Sequence, residues 1–344
     1  MNIYFLQIIL ILFLSLLTLY VVKKINLFEK ISKDLHQNFV NKSFVLPIGG
    51  YLLFISILVL NFYNSYFEII CLFSIFLIGS LSDLKKFNSP KLRLIFQTLI
   101  ILLFLYFSQI EISSTRIDFI DDVLKNTLFN IFFTTFCLLI LINGTNFVDG
   151  LNGLVIGYYI SIIFIISISG VNLEIFSNKL IFNQFIIILI VVLLLNYFNK
   201  LYLGDSGSYL LGFLFGTALI KIYALNQFIS PFFIILLLWY PCFENLFSII
   251  RKYRFRKSPI KPDNKHFHQL LFYFINKKLN PKNKIVTNNL SSILIVIYNF
   301  IVFYIGLIEI TKTNHQITII IFNLLIYIFL YIKLLKFRLD KIKQ

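Results

Sequence analysis

The sequence predicts an all-α, polytopic membrane protein. Of its 344 residues, 59% are hydrophobic, 18% are aromatic and only 13% are charged. A soluble chain carries about a quarter charged residues. Mean hydropathy is +0.88. Apolar runs recur at the length of about 20 residues that a helix needs to cross hydrocarbon.

Eleven spans are expected, near residues 2–22, 44–63, 66–81, 92–109, 127–143, 151–170, 180–196, 207–224, 228–250, 289–310 and 315–335. The first has no basic region before it, and Lys23 and Lys24 follow it. It reads as an anchor with its N-terminus outside rather than a cleaved leader. Pro47, Gly49, Gly50, Pro231 and Pro241 fall inside spans, where membrane helices tolerate them. With the N-terminus outside, all but five of the 31 lysines and arginines fall in cytoplasmic loops or the C-terminus. The five are Arg116, Lys125, Lys179, Lys221 and Lys312. The net charge of +16 is therefore a topology signal, not a nucleic-acid footprint. An odd number of spans puts the C-terminus in the cytoplasm. Cys71, Cys137 and Cys242 lie far apart in apolar segments, which argues against a disulfide framework or a thiolate metal cluster.

Four polar clusters fall on the predicted cytoplasmic face. In the loop near 82–93, Asp83 ends one helix and Ser89-Pro90 starts the next, with Lys85, Lys86 and Arg93 nearby. Taken alone, Asp83 reads as a local partner of Lys85 or Lys86. At 143–153, Asn143-Gly144 and Asp149-Gly150 are turn pairs interrupting an apolar run. Free amides with Asn146 and Asp149 side chains suit a nucleotide base and ribose, or form a plain turn. At 196–208, Asn196, Lys200 and Gly204-Asp205-Ser206-Gly207-Ser208 meet at a membrane edge. A carboxylate so close to lipid is costly and marks a functional site, although the same residues make an ordinary turn. Asp205 could hold Mg²⁺, which takes one or two carboxylates plus phosphate oxygens. A serine-protease nucleophile is rejected, since no His and Asp partners in a soluble β context accompany it. In the loop 251–288, Arg254 and its basic neighbours precede Pro262-Asp263 and His266-x-His268, a set able to clamp a diphosphate. A zinc pair at His266 and His268 lacks further ligands. Clusters separated by up to eight spans converging on one face argue for one site.

Together these clusters resemble the polyprenyl-phosphate N-acetylhexosamine-1-phosphate transferase family, in particular its undecaprenyl-phosphate N-acetylglucosamine branch. Asp83 with Ser89-Pro90 and Arg93 resembles the family's aspartate loop. Asn146-x-x-Asp149-Gly150-Leu151-x-Gly153-Leu154 resembles its nucleotide motif. Asn196, Lys200 and Gly204–Ser208 resemble its magnesium motif, and Ser258-Pro259, Pro262-Asp263 and His266-x-His268 its histidine loop. The resemblance spans roughly residues 45–272 and implies one transmembrane transferase domain over 1–344. The implied reaction joins polyprenyl phosphate to the β-phosphorus of a UDP-N-acetylhexosamine, releasing UMP and initiating a cell-envelope polysaccharide. It implies Mg²⁺, with Mn²⁺ as the alternative ion, and a bacterial inner membrane with the site facing the cytoplasm. A homodimer is compatible with it.

By the same resemblance, Asp83, Asp149, His266 and His268 are the catalytic candidates. Lys85, Asn146, Asn196, Lys200, Arg254 and Asp263 are candidates for substrate binding, and Asp205 with Asp149 for the metal. Three residues depart from the family pattern. Ser82 stands for an aspartate, Asn152 for an aspartate and Gln269 for a histidine. Three rival readings are the MurNAc-pentapeptide branch, a transporter or flippase, and an inactive family member.

Overall fold

The computed structural model describes residues 45–60, 65–172, 179–254 and 264–343, with isolated positions 13, 17, 20, 21, 24 and 256. Most of the first expected span and of the loop that follows it, and Ser258, Pro259, Pro262 and Asp263, lie outside the described residues.

The described residues form twelve α-helices: α1 Gly49–Val59, α2 Tyr66–Asp83, α3 Pro90–Ser108, α4 Asp118–Leu124, α5 Thr127–Val148, α6 Leu154–Ile168, α7 Lys179–Tyr197, α8 Gly204–Leu225, α9 Pro231–Arg254, α10 Phe267–Leu279, α11 Lys284–Ile308 and α12 Thr313–Lys343. Seven (α2, α3, α5, α8, α9, α11, α12) are long and apolar enough to cross a membrane. Three more helices are apolar over shorter stretches: α1, α6 and, within α7, Asn183–Tyr197. Each of the ten expected spans within the described residues therefore contains a helix. The chain is a multi-pass membrane protein.

Helix α8 is the centre and the most enclosed of the seven. It packs on α1, α2 and α5, while α3 and α9 pack on the outer sides of α2 and α5. Its burial follows from small residues. Gly79 on α2 leaves room for the backbone of Ser206: an added Cβ would stand 2.6 Å from the Ser206 nitrogen and 2.7 Å from the Asp205 carbonyl oxygen. Close backbone approach through small residues is the usual packing mode of membrane helices.

Two boundaries differ from expectation. The break expected from Asn143 does not occur there: α5 runs on to Val148. Two of its polar residues find partners inside the bundle: Asn143 donates to Leu139 O and Gln97 Oε1, and Thr145 is bonded to the Tyr159 hydroxyl. Gly204–Ser208, which could have been an inter-helix turn, instead forms the first turn of α8. Helices α4 and α10 were not expected, because neither carries an apolar run long enough to signal a span.

Pro241 sits inside α9. It has no N–H to give to the carbonyl four residues back. That carbonyl, Leu237 O, accepts instead from the Tyr158 hydroxyl of α6 at 2.6 Å, so the broken ladder ties α9 to its neighbour.

Candidate functional site

The site is built where α2 and α5 end and α8 begins. The first backbone amides of a helix have no partner within it and attract negative charge. At α8 that partner is Asp83, from the last turn of α2. Its Oδ1 accepts from the Asp205 amide at 2.8 Å and its Oδ2 from the Ser206 amide at 3.0 Å. Gly204 makes the contact possible. It has φ +77°, and a Cβ there would stand 2.8 Å from Asp83 Oδ2. Asp83 does not pair with Lys85 or Lys86 in the manner its own loop suggested. It caps the helix that presents Asp205.

Asp205 is the hub of the site. Its Oδ2 accepts from the Ser82 hydroxyl at 2.6 Å and from Arg93 Nη1 at 2.8 Å. Its Oδ1 accepts from Asn146 Nδ2 at 2.7 Å. Arg93 also donates to Ser82 Oγ, closing a triangle of three side chains. Asn146 reaches Ser208 Oγ at 3.0 Å as well, so its amide nitrogen braces Asp205 rather than facing outward. Asp149 follows directly after α5, close to the Gly204 amide at the start of α8. Burial, and then the negative charge of Asp205, push its carboxyl up to about 8.

A second group adjoins the first through residues 146–150, where α5 ends. Lys252 Nζ lies 5.8 Å from the centre of the Phe147 ring. The His266 ring is 5.5 Å from Phe147 and stacks on His268 at 5.7 Å. His268 is fully buried, and its Nε2 fills the space where a side chain on Gly150 would sit. The histidine arm is thus pressed against the residues that follow α5.

The sequence candidates divide accordingly. Asp83, Asn146, Asp149 and Asp205 come together, and His266 and His268 adjoin them. Lys85 is half-buried in the left-handed turn that ends α2, with φ 54°. Lys200 and Arg254 are exposed at helix ends. Asn196 is buried, donates to Leu201 O at 2.8 Å and accepts from the Gly153 amide, so it braces the chain around the site. Asp263 lies outside the described residues.

On α9, Arg251 and Lys252 are 8% and 4% exposed, whereas Arg254 is exposed. The signal was available: Glu244, Ser248 and Lys252 repeat every four residues and share one buried helix face. The departures from the family pattern also have structural parts. Gln269 Oε1 accepts from the His266 amide at 3.3 Å, which steadies the start of α10. Asn152 is buried: its side-chain Nδ2 donates to Asn199 Oδ1 at 3.5 Å and its backbone N–H to Asn288 Oδ1 at 2.8 Å.

The residues fit a divalent cation of the kind that takes most of its ligands from phosphate and water. Among the described residues no three acidic, histidine or cysteine side chains form a closed cage. Asp205 Oδ1, however, accepts a single hydrogen bond and retains a lone pair. Asp149 brings a second carboxylate beside it.

The family model for glycosyl transferase family 4 matches residues 66–223, which contain the whole first group of site residues. The undecaprenyl-phosphate alpha-N-acetylglucosaminyl 1-phosphate transferase of Thermotoga maritima is 30% identical over 239 residues, covering 68% of this chain and 70% of that protein. The probable undecaprenyl-phosphate N-acetylglucosaminyl 1-phosphate transferase of Bacillus subtilis is 31% identical over 143 residues, 38% of this chain and 37% of the relative. The decaprenyl-phosphate N-acetylglucosaminephosphotransferase of Mycolicibacterium smegmatis is 30% identical over 155 residues, with the same two shares.

Proposed function

This chain belongs to glycosyl transferase family 4, and we propose that it transfers N-acetylglucosamine-1-phosphate from its UDP-sugar to a polyprenyl phosphate in the membrane, releasing UMP. The observation that carries the reading is the Asp205 hub. Carboxylates from three helix ends meet beside Arg93, at the mouth of a bundle whose outer faces are apolar. A site that joins a charged sugar nucleotide to a lipid needs that combination. The bacterial inner membrane, a cytoplasmic site and Mg²⁺ belong to this proposal.

The chemistry asks little of a base. A phosphate monoester has a second pKa of about 6 and is largely ionised at neutral pH. What it needs is charge neutralisation and alignment with the phosphorus it attacks. Asp205 and Asp149 would hold Mg²⁺, which supplies charge neutralisation to the diphosphate. Arg93 is already oriented by Asp205 and Ser82. Lys252 and the two histidines add positive or proton-donating groups beside residues 146–150 at the end of α5. Asp83 keeps the α8 amides aligned, and Ser82 serves as a hydrogen-bond bridge rather than a base.

The reading is tested with purified protein, a polyprenyl phosphate, Mg²⁺ and radiolabelled UDP-N-acetylglucosamine. Lipid-extractable sugar and UMP should appear in equal amounts. Absence of both with this donor, and their appearance with another UDP-N-acetylhexosamine, would change the substrate. Absence with every donor would remove the reading.

Two substitution series follow. Ser82→Ala should slow transfer by about tenfold at most, the effect of one net hydrogen bond. The native chain should be active before any Ser82→Asp change. Activity that appears only in Ser82→Asp would make the native chain an inactive family member. Lys252→Met should raise the KM for the UDP-sugar by about tenfold or more, the cost of a lost hydrogen bond to a charged group. Arg254→Met should leave it nearly unchanged, and the reverse order would put the donor site on the exposed side of α9.

A further inference from the structure

Glu244 lies inside α9 and is 1% exposed. A buried carboxylate is costly unless donors reach it. Three do. His266 Nδ1 lies 2.9 Å from Oε1, the Phe267 amide donates to the same oxygen at 3.3 Å, and the Tyr327 hydroxyl donates to Oε2 at 2.5 Å. Glu244 therefore caps the start of α10 and binds a tyrosine of α12 at the same time. A carboxylate that receives an amide and a hydroxyl is acting as an acceptor, which assigns the proton of the His266 contact to Nδ1. The orientation of a functional histidine is commonly set in this way, by the partner of its other nitrogen.

Helix α12 grips the same arm twice more. The Tyr331 hydroxyl donates to Lys265 O at 3.0 Å, and Arg338 donates to Asn264 O. Tyr327 is 3% exposed and packs edge-on against Phe243 at 5.0 Å, so its hydroxyl has little freedom to leave Glu244. Neither Glu244 nor α12 belongs to the segment 66–223 that the family model matches.

We propose that Glu244 and Tyr327 are positioning residues for the transfer reaction. They fix His266 in its Nδ1–H form and hold the His266–His268 arm against residues 146–150 at the end of α5, beside the Asp205 hub. The proposal rests on the transferase reading for its substrate, but not for its geometry.

The test uses the full chain in lipid nanodiscs, labelled with ring-¹⁵N histidine. The chain has four histidines, and a His266→Asn variant identifies the signal of interest. In the native protein His266 should show the Nδ1-protonated pattern. Glu244→Gln and Tyr327→Phe should each mix in the Nε2-protonated form. Tyr327→Phe removes a single oxygen and keeps the test available if Glu244→Gln fails to fold. In the transfer assay Glu244→Gln should lower kcat about 10–100-fold, the range for loss of a partner that orients a functional histidine, with KM nearly unchanged. Added to His266→Asn it should cost nothing further, because the two act as one unit. A His266 pattern that neither substitution alters would overturn the proposal, as would fully additive losses in the double variant. If the native chain transfers no sugar, the functional reading falls, while the histidine spectrum still decides the positioning.

Discussion

Asp205→Asn is expected to abolish transfer to within about a thousandth of the native rate, the scale of removing a preorganised electrostatic group from an active site. The substitution changes one atom and keeps the side chain's shape. Arg93, Ser82 and Asn146 all donate to the two carboxylate oxygens. An asparagine has one acceptor oxygen and a nitrogen that must face donors. At least one of the three contacts becomes donor against donor, and Arg93 loses the charge that orients it. A candidate cation ligand is lost at the same step. The measurement is turnover of labelled UDP-N-acetylglucosamine beside a thermal melt. The variant should melt near the native protein, because the Asp205 side chain is 30% exposed and sits at a helix end rather than in the core. Retention of a tenth or more of the native rate would show that the hub is not where the reaction is organised.

Gly79→Ala is expected to damage both stability and activity through a single methyl group. The new Cβ would stand 2.6 Å from the Ser206 nitrogen and 2.7 Å from the Asp205 carbonyl oxygen, and both are backbone atoms of α8. Backbone cannot rotate away, so α2 and α8 must separate at the point where Asp83 reaches the α8 amides. Overpacking of this kind costs about 1–3 kcal/mol. It would also lengthen the two hydrogen bonds that now measure 2.8 and 3.0 Å. Gly157→Ala is the control. Its Cβ would meet the side chain of Val296 at 3.1 Å, which can give way. In an exposed or relaxed helix position that change even gains up to about 1 kcal/mol of helix propensity. A melting temperature for Gly79→Ala equal to that of Gly157→Ala would contradict the account of the α2–α8 contact.

Much of the architecture was legible in the sequence, because a spanning helix is announced by a continuous apolar run that needs no partner to be read. Ser89-Pro90 was legible for a similar reason: Pro90 opens α3 and Ser89 Oγ accepts from the Leu92 amide at 3.4 Å. Helix α10 was not legible, because its mixed composition depends on a groove against α11 and α12 that only the folded chain provides. The position of the break after α5 was misread for a related cause. Asn143, Gly144 and Asn146 carry turn chemistry in isolation, yet each finds a partner or a close contact inside the bundle.

The four clusters told which residues carry the chemistry, since charge and small residues at the edge of lipid have few structural uses. They did not tell what those residues do to one another. Ser82 and Asp205 stand 123 positions apart, and no local pattern says that one donates to the other. The sequence by itself thus determined a many-helix membrane protein with its polar residues gathered in a few short stretches. The tertiary structure alone decided that Asp83 caps α8, that Asn196 braces a turn, that Lys252 rather than Arg254 is enclosed, and that Glu244 holds His266. The physical reason is the same in each case. Hydrophobic burial is written residue by residue along the chain, whereas a buried hydrogen bond depends on the direction of two groups brought together by helices distant in sequence.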